Sequence, residues 1–293
     1  MSNVVIFGCG FSGLAIARAF LKQNCEVWGT TRSEPKALRL EEEGVKPLVF
    51  DGMTFGDDVL KAVAKADILV QSIAPGDSGD PLLNLGYEHL RKMMPNLRWM
   101  GYLSTIGVYG NHDGAWVSEE TPCKPVSARS RERREAEDGW IDFSKTSGCS
   151  VAILRLSGIY GPGRNAFCNL AAGTARRLIK KDQVFNRIRA EDIAEATVFL
   201  SERQLGGIYN VTDDNPAPPQ DVIVEAARLM GVEPPPEQQF ETAELSPMAR
   251  SFYGENKRVS NEKLKSAGFR FLYPDYPQSL SQLWRTGSWK GEE

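Results

Sequence analysis

The fold of this chain is decided near its beginning, by the stretch VVIFGCGFSGLAIARAFL at residues 4–21. Residues 4–7 are a continuous apolar run rich in β-branched side chains, which predicts a strand buried on both faces. The glycine pattern G-x-G-x-x-G follows at once, and apolar residues at helical spacing come next. A second strand is predicted at residues 26–30. This order of strand, glycine turn, helix and strand is typical of dinucleotide binding.

Each glycine of the turn has a separate mechanical role. Gly8 makes the tight turn, Gly10 allows the backbone to approach a pyrophosphate, and Gly13 allows the helix to pack closely on the strand. With Phe11 and Ser12, these residues form the helix N-terminus, which is expected to face the phosphates. The alternative interpretation is a glycine-rich turn that binds nothing.

The end of the second strand indicates which dinucleotide binds. NAD-binding proteins usually place an acidic residue there for the ribose hydroxyls, whereas this chain has Thr31, Arg32 and Ser33. A guanidinium and hydroxyls suit a 2′-phosphate through charge-assisted hydrogen bonds. We therefore expect NADP rather than NAD. The alternative is that Arg32 is a solvated loop residue and that Glu34 serves the ribose of NAD.

The alternation of strands and helices then continues. Strands are predicted at residues 46–50, 67–71, 98–104 and 150–156, and helices at residues 57–65, 81–94 and 127–140. This pattern predicts an α/β fold with a Rossmann-type, doubly wound parallel sheet. Ligands of such sheets lie beyond the carboxyl ends of the strands. We therefore expect Asp51 to bind the adenine, and Ser72, Ile73 and Ala74 to form a wall of the coenzyme site.

The composition excludes several other classes of protein. Of the 293 residues, 41% are hydrophobic, which is enough to bury a core. The formal net charge of −3 gives no reason to expect a nucleic acid partner, and no stretch approaches the roughly 18 apolar residues of a membrane span. Five scattered cysteines and two histidines predict no metal site. A reducing cytoplasm is the expected location.

Four further blocks carry a resemblance to a known family. They are LSTIGVYG at residues 103–110, RLSGIYGPG at residues 155–163, RAEDIA at residues 189–194 and IYNV at residues 208–211. In order and spacing they resemble the extended short-chain dehydrogenase/reductases, the nucleotide-sugar epimerase/dehydratase superfamily. The resemblance implies that Thr105 hydrogen-bonds the reacting oxygen of the substrate and that the block containing Tyr160 shapes a loop beside the nicotinamide.

The chain departs from this family at its acid–base pair. The family's base is a tyrosine four residues before a lysine, and the corresponding stretch here is SARSRERREAE at residues 127–137. Alignment places Arg129 at the tyrosine position and Arg133 at the lysine position. An arginine stays protonated and cannot act as a base. Arg133 could still bond the coenzyme's ribose, and both could hold an anionic substrate. The alternative is a solvated, salt-bridged helix face.

Other site candidates lie on loops and in the C-terminal region. His112 is a candidate catalytic residue, because imidazole titrates near neutrality. Arg164, Arg250, Tyr253 and Lys257 are candidates for holding a polar or anionic substrate, although each is equally compatible with an ordinary surface position. Helices are predicted at residues 165–178 and 220–230, and residues 287–293 are expected to be loosely ordered.

These predictions divide the chain into two parts. Residues 1–162 form the coenzyme-binding Rossmann domain, to which residues 183–212 return, and residues 163–182 and 213–293 form a substrate-binding lobe. We expect an NADP-dependent enzyme, reductase-like or epimerase/dehydratase-like, that acts on a polar small molecule without the standard Tyr/Lys mechanism. The alternatives are a non-catalytic NADP sensor or scaffold and a structural protein with an empty fold. The sequence leaves a homodimer open.

Overall fold

The computed structural model describes residues 2–291, without the side chain of Met248. Its strands are β1 (Asn3–Phe7), β2 (Glu26–Thr31), β3 (Lys46–Val49), β4 (Ile68–Gln71), β5 (Trp99–Thr105), β6 (Trp116–Val117), β7 (Ser150–Leu156), β8 (Gly158–Tyr160), β9 (Arg177–Ile179), β10 (Arg187–Arg189), β11 (Gly207–Val211), β12 (Glu237–Gln239) and β13 (Arg258–Val259).

The α-helices lie between and after these strands along the chain. They are α1 (Phe11–Lys22), α2 (Glu34–Glu42), α3 (Asp57–Lys65), α4 (Tyr87–Met93), α5 (Ala128–Ser147), α6 (Ala166–Ala171), α7 (Ala190–Glu202), α8 (Pro219–Met230), α9 (Pro247–Phe252), α10 (Glu262–Ser266) and α11 (Tyr276–Arg285). Short 3₁₀ turns lie at Leu83–Leu85, Ile106–Tyr109 and Ser288–Lys290.

A seven-stranded parallel sheet is the centre of the fold. Its strand order is β11-β7-β5-β4-β1-β2-β3, and β1 lies between β2 and β4, with Val4 opposite Val27 and Ile68. Strand order therefore reverses between β1 and β4, which is the doubly wound arrangement. The predicted α/β Rossmann fold is confirmed.

The chain forms two compact units. Unit 1 comprises Met1–Val108, Pro125–Leu156 and Ile193–Tyr209, and unit 2 comprises Tyr109–Lys124, Ser157–Asp192 and Asn210–Glu293. The assignment of residues 163–182 and 213–293 to substrate binding stays a prediction. No helix within residues 2–291 has the length and apolar composition to cross a membrane.

The core of unit 1 explains why its strands form where the sequence predicts them. The β1 residues Val4 to Phe7 are fully buried, as a strand covered by helices on both faces requires. Phe7 packs edge-on against Phe50, with ring centroids 5.3 Å apart. Trp140 of α5 packs against Tyr102 of β5.

Unit 2 is built from short strand pairs and a separate aromatic core. Strands β8 and β10, β9 and β12, and β6 and β13 each form a two-stranded parallel ladder. Phe167 of α6 and Trp284 of α11 stack at 5.3 Å between ring centroids, beside Leu280 and Ala226.

Two predicted helices are shorter than the sequence indicates, because a glycine interrupts one and follows the end of the other. The helix predicted at residues 81–94 divides into a 3₁₀ turn and α4, because Gly86 lies between them at φ +80°. The helix predicted at residues 165–178 is α6 alone. It ends before Gly173, which has φ +67°, and the chain continues into β9. Left-handed backbone of this kind terminates helices.

Two other differences concern segments for which the sequence predicts no regular structure. Helix α2 occupies a segment where no element is predicted. The prediction of loose order at residues 287–293 was wrong for residues 287–291, which include the turn Ser288–Lys290 and pack on unit 2. The remaining two residues of that prediction lie outside the described residues.

Candidate functional site

The glycine turn between β1 and α1 is closed so tightly that two of its positions exclude a side chain. A Cβ on Gly13 would lie 2.6 Å from the Gly8 carbonyl oxygen. Gly8 has φ +84°, and a Cβ there would lie 2.9 Å from Ile73 Cγ1. The close approach of α1 to β1 therefore requires glycine at residue 13, and Ile73 lies beside the turn.

Gly10 differs from its neighbours, because a Cβ built there meets nothing within 4 Å. Gly10 is the N-cap of α1 and no side chain caps this helix end, so the open space at Gly10 lies directly before the first turn of α1. An uncapped helix N-terminus beside an open glycine suits an anion held by main-chain N–H groups. The residues present therefore fit a dinucleotide pyrophosphate.

Thr30 holds the turn in place, although sequence reasoning did not identify it. The Gly8 N–H donates to Thr30 Oγ1 at 2.8 Å, and the Cys9 N–H donates to the Thr30 carbonyl at 2.8 Å. Cys9 itself is unsuited to covalent chemistry, because burial raises the pKa of its thiol to about 12. A polar residue at the second-to-last position of β2 was the available signal.

The end of β2 carries the predicted 2′-phosphate residues. Thr31 is buried, Arg32 is exposed, and Ser33 is the N-cap of α2. No side chain caps α2. An exposed guanidinium thus lies immediately before a second uncapped helix N-terminus, and both features attract an anion.

The next two strands end in the other predicted coenzyme residues. Asp51 follows β3 and is exposed, and its Oδ1 accepts the N–H groups of Met53 and Thr54 at 2.8 Å each. These bonds lower the pKa of Asp51. After β4, the Ser72 N–H donates to the Phe7 carbonyl at 2.8 Å, and Ala74 is exposed. All these residues lie at the carboxyl edge of the sheet.

Two hydroxyl groups meet at Gly107, just after β5. A Cβ on Gly107 would lie 2.8 Å from Ser130 Oγ and 3.4 Å from Thr105 Oγ1. Thr105 Oγ1 accepts the Gly107 N–H at 3.1 Å, and Ser130 Oγ accepts the hydroxyl of Ser127 at 2.8 Å. Each oxygen already accepts a bond, so each keeps its own proton to donate. Ser130 was missed in the sequence, because nothing local relates it to Thr105.

The two arginines at the family's acid–base positions lie in different environments. Arg129 is exposed in the first turn of α5. Arg133 is partly buried, and its Nη1 donates to the Leu103 carbonyl of β5. Burial raises the pKa of the adjacent Tyr102, and the charge of Arg133 opposes this rise. Neither arginine, nor a tyrosine held in its neutral form, can serve as a base near neutrality.

A buried ion pair fixes α5 beneath this region. Glu137 is fully buried and accepts three bonds from Arg155 of β7, the shortest at 2.7 Å. It also accepts the hydroxyl of Ser104 at 2.6 Å. These contacts join α5 to β5 and β7, which fixes Arg133 and Ser130 relative to Thr105.

Two predicted residues of unit 2, His112 and Lys257, take part in hydrogen bonds that join residues 109–112 to residues 256–257. The main-chain N–H of His112 donates to the Asn256 carbonyl at 3.0 Å, and the ring nitrogen Nε2 of His112 lies 3.1 Å from the Tyr109 carbonyl. Lys257 is buried, and its Nζ donates to the Gly110 carbonyl at 2.7 Å and to Glu255. Desolvation lowers the pKa of Lys257. These hydrogen bonds fix the loop that contains Gly110 and His112.

The remaining predicted residues of unit 2 lie in three places. Arg250 and Tyr253 both pack on Phe240, with the Arg250 guanidinium 5.0 Å and the Tyr253 ring 4.8 Å from its centroid. Tyr160 packs in the aromatic core near Phe167, and burial raises its pKa. Arg164 is exposed on the loop that follows β8. Within residues 2–291, no three His, Cys, Asp or Glu side chains are grouped to hold a metal ion.

A doubly wound parallel sheet with an open glycine turn at its switch point defines the class of NAD(P)-binding Rossmann proteins. The model of the NAD dependent epimerase/dehydratase family matches residues 4–212. The chain belongs to the NAD dependent epimerase/dehydratase family.

Relatives match over almost the whole chain. Protein YeeZ of Escherichia coli K12 is 31% identical over 94% of this chain and 97% of its own. The structure of a functionally unknown conserved protein from Silicibacter pomeroyi is 40% identical, with a TM-score of 0.88, over 98% of this chain and 99% of its own. A human epimerase family protein solved with NADPH is 14% identical, with a TM-score of 0.73, over 96% and 99%, and shares the fold.

Proposed function

We propose that this protein is an NADP-dependent enzyme, reductase-like or epimerase/dehydratase-like, that acts on a polar small molecule. The observation that carries the proposal is the glycine turn, where Gly10 is open, Gly13 admits no side chain and the N-terminus of α1 is uncapped. Gly8, Phe11, Ser12 and the main-chain N–H groups of the turn would hold the pyrophosphate. The bound coenzyme would supply hydride transfer.

The preference for NADP rests on the end of β2. Arg32 and Thr31 would bind the 2′-phosphate with Ser33, and the uncapped N-terminus of α2 would add main-chain N–H donors. The last residue of β2 is Thr31 rather than an acidic residue, and the carboxylate of Glu34 follows only in the first turn of α2. The NADPH complex of the human epimerase family protein is compatible with this choice, whereas the family name refers to NAD.

Hydrogen bonding to the reacting oxygen of the substrate would depend on hydroxyl groups rather than on a tyrosinate. Thr105 and Ser130 would both donate to the reacting oxygen of the substrate, because each oxygen already accepts a bond from the protein. Arg133, fixed by the Leu103 carbonyl, would contribute a permanent positive charge and a donor for the coenzyme's ribose. Arg129 and Arg164 are exposed cations suited to an anionic substrate.

The coenzyme assignment is tested by calorimetric titration of wild type and Arg32→Ala with NADPH and NADH. Loss of one charge-assisted contact should weaken NADPH binding by about 10–100-fold and leave NADH binding within about threefold. Lys36→Ala is a matched control, because Lys36 is an exposed cation in the first turn of α2. Equal losses for both coenzymes would remove the reason for preferring NADP.

Reductase activity is tested by following nicotinamide absorbance with NADPH and a panel of carbonyl compounds. Epimerase or dehydratase activity is tested by chromatography of nucleotide sugars incubated with the protein and NADP⁺, because the hydride is returned in these reactions and absorbance does not change. The proposal predicts turnover with at least one compound and a strong loss in Thr105→Val. Coenzyme binding without turnover across the panel would favour the second candidate.

That second candidate is a non-catalytic NADP sensor or scaffold. The observation that favours it is the presence of two arginines at the acid–base positions of the family, neither of which can act as a base. If the protein is a sensor, Thr105→Val should bind NADPH normally and restore the phenotype of a deletion strain. Failure of that variant to restore the phenotype would favour catalysis.

A further inference from the structure

Residues 287–291, here called the C-terminal latch, pack on the loop of residues 161–165, here called the Pro162 loop. Both lie in unit 2. The Pro162 loop is a narrow turn, because the Gly161 N–H donates to the Arg164 carbonyl at 2.9 Å and the Arg164 N–H donates to the Gly161 carbonyl at 3.0 Å. The turn therefore fixes the main chain at Arg164.

One carbonyl oxygen of the latch collects most of its polar contacts with the loop. The main-chain oxygen of Trp289 accepts the Gly163 N–H at 3.0 Å, the Asn165 amide at 2.7 Å and the Cys168 thiol at 3.3 Å. Asn165 Nδ2 also donates to the Gly161 carbonyl at 2.8 Å. The latch thus bonds to the tip, the end and the following helix of the loop.

The indole of Trp289 anchors that carbonyl to the core of unit 2. Its ring stacks on Trp284, with centroids 5.9 Å apart at an angle of 27°, and lies 6.1 Å from Phe167. Phe167 is fully buried. The position of the Trp289 carbonyl is therefore set by aromatic packing rather than by the loop that it bonds.

Two glycines allow the latch and the loop to approach. Gly163 and Gly291 have φ +74° and +80°. A Cβ on Gly291 would lie 3.1 Å from both the nitrogen and the Cα of Gly163. The neighbouring latch residue Gly287 also has positive φ, +71°, but a Cβ there meets nothing within 4 Å.

We propose that the C-terminal latch is a positioning device that fixes the Pro162 loop, and with it the main chain from which the Arg164 side chain extends. Trp289 acts as a positioning residue through its main-chain oxygen. The significance of Arg164 rests on the function proposed above, where this residue contacts an anionic substrate. The fixing of the loop is independent of that function, because every contact involved belongs to unit 2.

The matched pair Gly291→Ala and Gly287→Ala tests the device without coenzyme or substrate. Both substitutions place an alanine at positive φ, but only Gly291→Ala adds a methyl group against Gly163. Tryptic cleavage after Arg164, identified by mass spectrometry, should be roughly tenfold faster or more in Gly291→Ala. Hydrogen exchange at the Gly163 amide should accelerate in parallel. Gly287→Ala should stay within about threefold of wild type.

A second pair separates local loosening from general instability. Trp289→Ala should accelerate cleavage after Arg164, whereas Trp289→Phe, which keeps an aromatic anchor, should restore protection. Wild-type cleavage rates in Gly291→Ala and Trp289→Ala would overturn the proposal, as would equal acceleration in Gly291→Ala and Gly287→Ala. Because no coenzyme is present, failure here is distinct from failure to bind NADPH.

Discussion

At the scale of single residues, the surroundings of Gly10 and Gly13 differ, so glycine would be required at the two positions for different physical reasons. Gly13 is needed by the folded protein itself, because a methyl group there would meet the Gly8 carbonyl oxygen at 2.6 Å. Gly10 is not needed for packing, because the same methyl group would enter open space. A requirement for glycine at Gly10 therefore has to come from a ligand that approaches the backbone.

The pair Gly10→Ala and Gly13→Ala separates these requirements. Gly10→Ala should keep the melting temperature of wild type within about 2 °C and weaken NADPH binding at least tenfold, because its methyl group would enter the space proposed for the pyrophosphate. Gly13→Ala should lower the melting temperature by several degrees, since α1 must move away from β1. Thermal melts and calorimetry measure both effects. Unchanged NADPH affinity in Gly10→Ala would contradict this assignment.

Local patterns reveal Gly8, Gly10 and Gly13, because the roles of these residues follow from the immediate sequence. They do not reveal Ser130, which belongs to α5 and meets Thr105 only through tertiary packing at Gly107. The same limit applies to Trp289. A short stretch between two glycines near the end of the chain indicates loose order, whereas stacking on Trp284 gives it a fixed place.

At the scale of secondary structure elements, α5 is held to the sheet by a polar network. Glu137 accepts bonds from Arg155 of β7 and Ser104 of β5, and it is fully buried. Neutralising one partner of such a pair leaves the charge of the other, here Arg155, uncompensated inside the protein. The position of Ser130 and Arg133 relative to Thr105 therefore depends on Glu137.

Glu137→Gln should lower the free energy of unfolding by about 3–5 kcal/mol. The matched control is Asp138→Asn, because Asp138 pairs with Arg134 on the exposed side of the same helix. An exposed pair of this kind contributes about 0–1 kcal/mol. Urea denaturation measures both variants. Similar, small effects for the two substitutions would show that the buried pair does not hold α5.

The ends of elements are the part of the fold that the sequence predicts least well. Strands β1, β4 and β7 have the predicted positions to within one residue, because continuous apolar runs define them. The predicted helix at residues 81–94 is interrupted by Gly86 at φ +80°, and the one at residues 165–178 ends before Gly173 at φ +67°. The backbone angle of a glycine depends on its tertiary surroundings and cannot be predicted from the local sequence. The helices predicted from the pattern of apolar residues are therefore too long.

At the scale of the whole molecule, two buried carboxyl groups make stability depend on pH. Desolvation raises the pKa of Asp213 to about 8 and that of Asp192 to about 6. Asp213 is 1% exposed, its Oδ2 has no hydrogen-bond partner within residues 2–291, and its surroundings include Arg187, Asp214 and Asp275. The folded protein therefore binds protons more tightly than the unfolded chain at these positions.

Stability should consequently be highest near pH 4 with respect to these groups and fall as pH rises towards 8. Asp213→Asn removes the cost of ionising this carboxyl, so its free energy of unfolding should exceed that of wild type at pH 8, by an amount on the order of several kcal/mol, and the excess should vanish towards pH 4. Asp77→Asn, at an exposed position of unit 1, should parallel wild type. Parallel pH curves for wild type and Asp213→Asn would contradict the raised pKa.

The central claim is that the glycine turn of unit 1 holds a dinucleotide coenzyme, and calorimetric titration of the wild-type protein with NADPH tests it most directly. We predict one site per chain that is weakened at least tenfold by Gly10→Ala without loss of folding. The absence of heat and of any thermal shift at saturating NADPH and NADH, in a protein that is folded by circular dichroism, would contradict the claim.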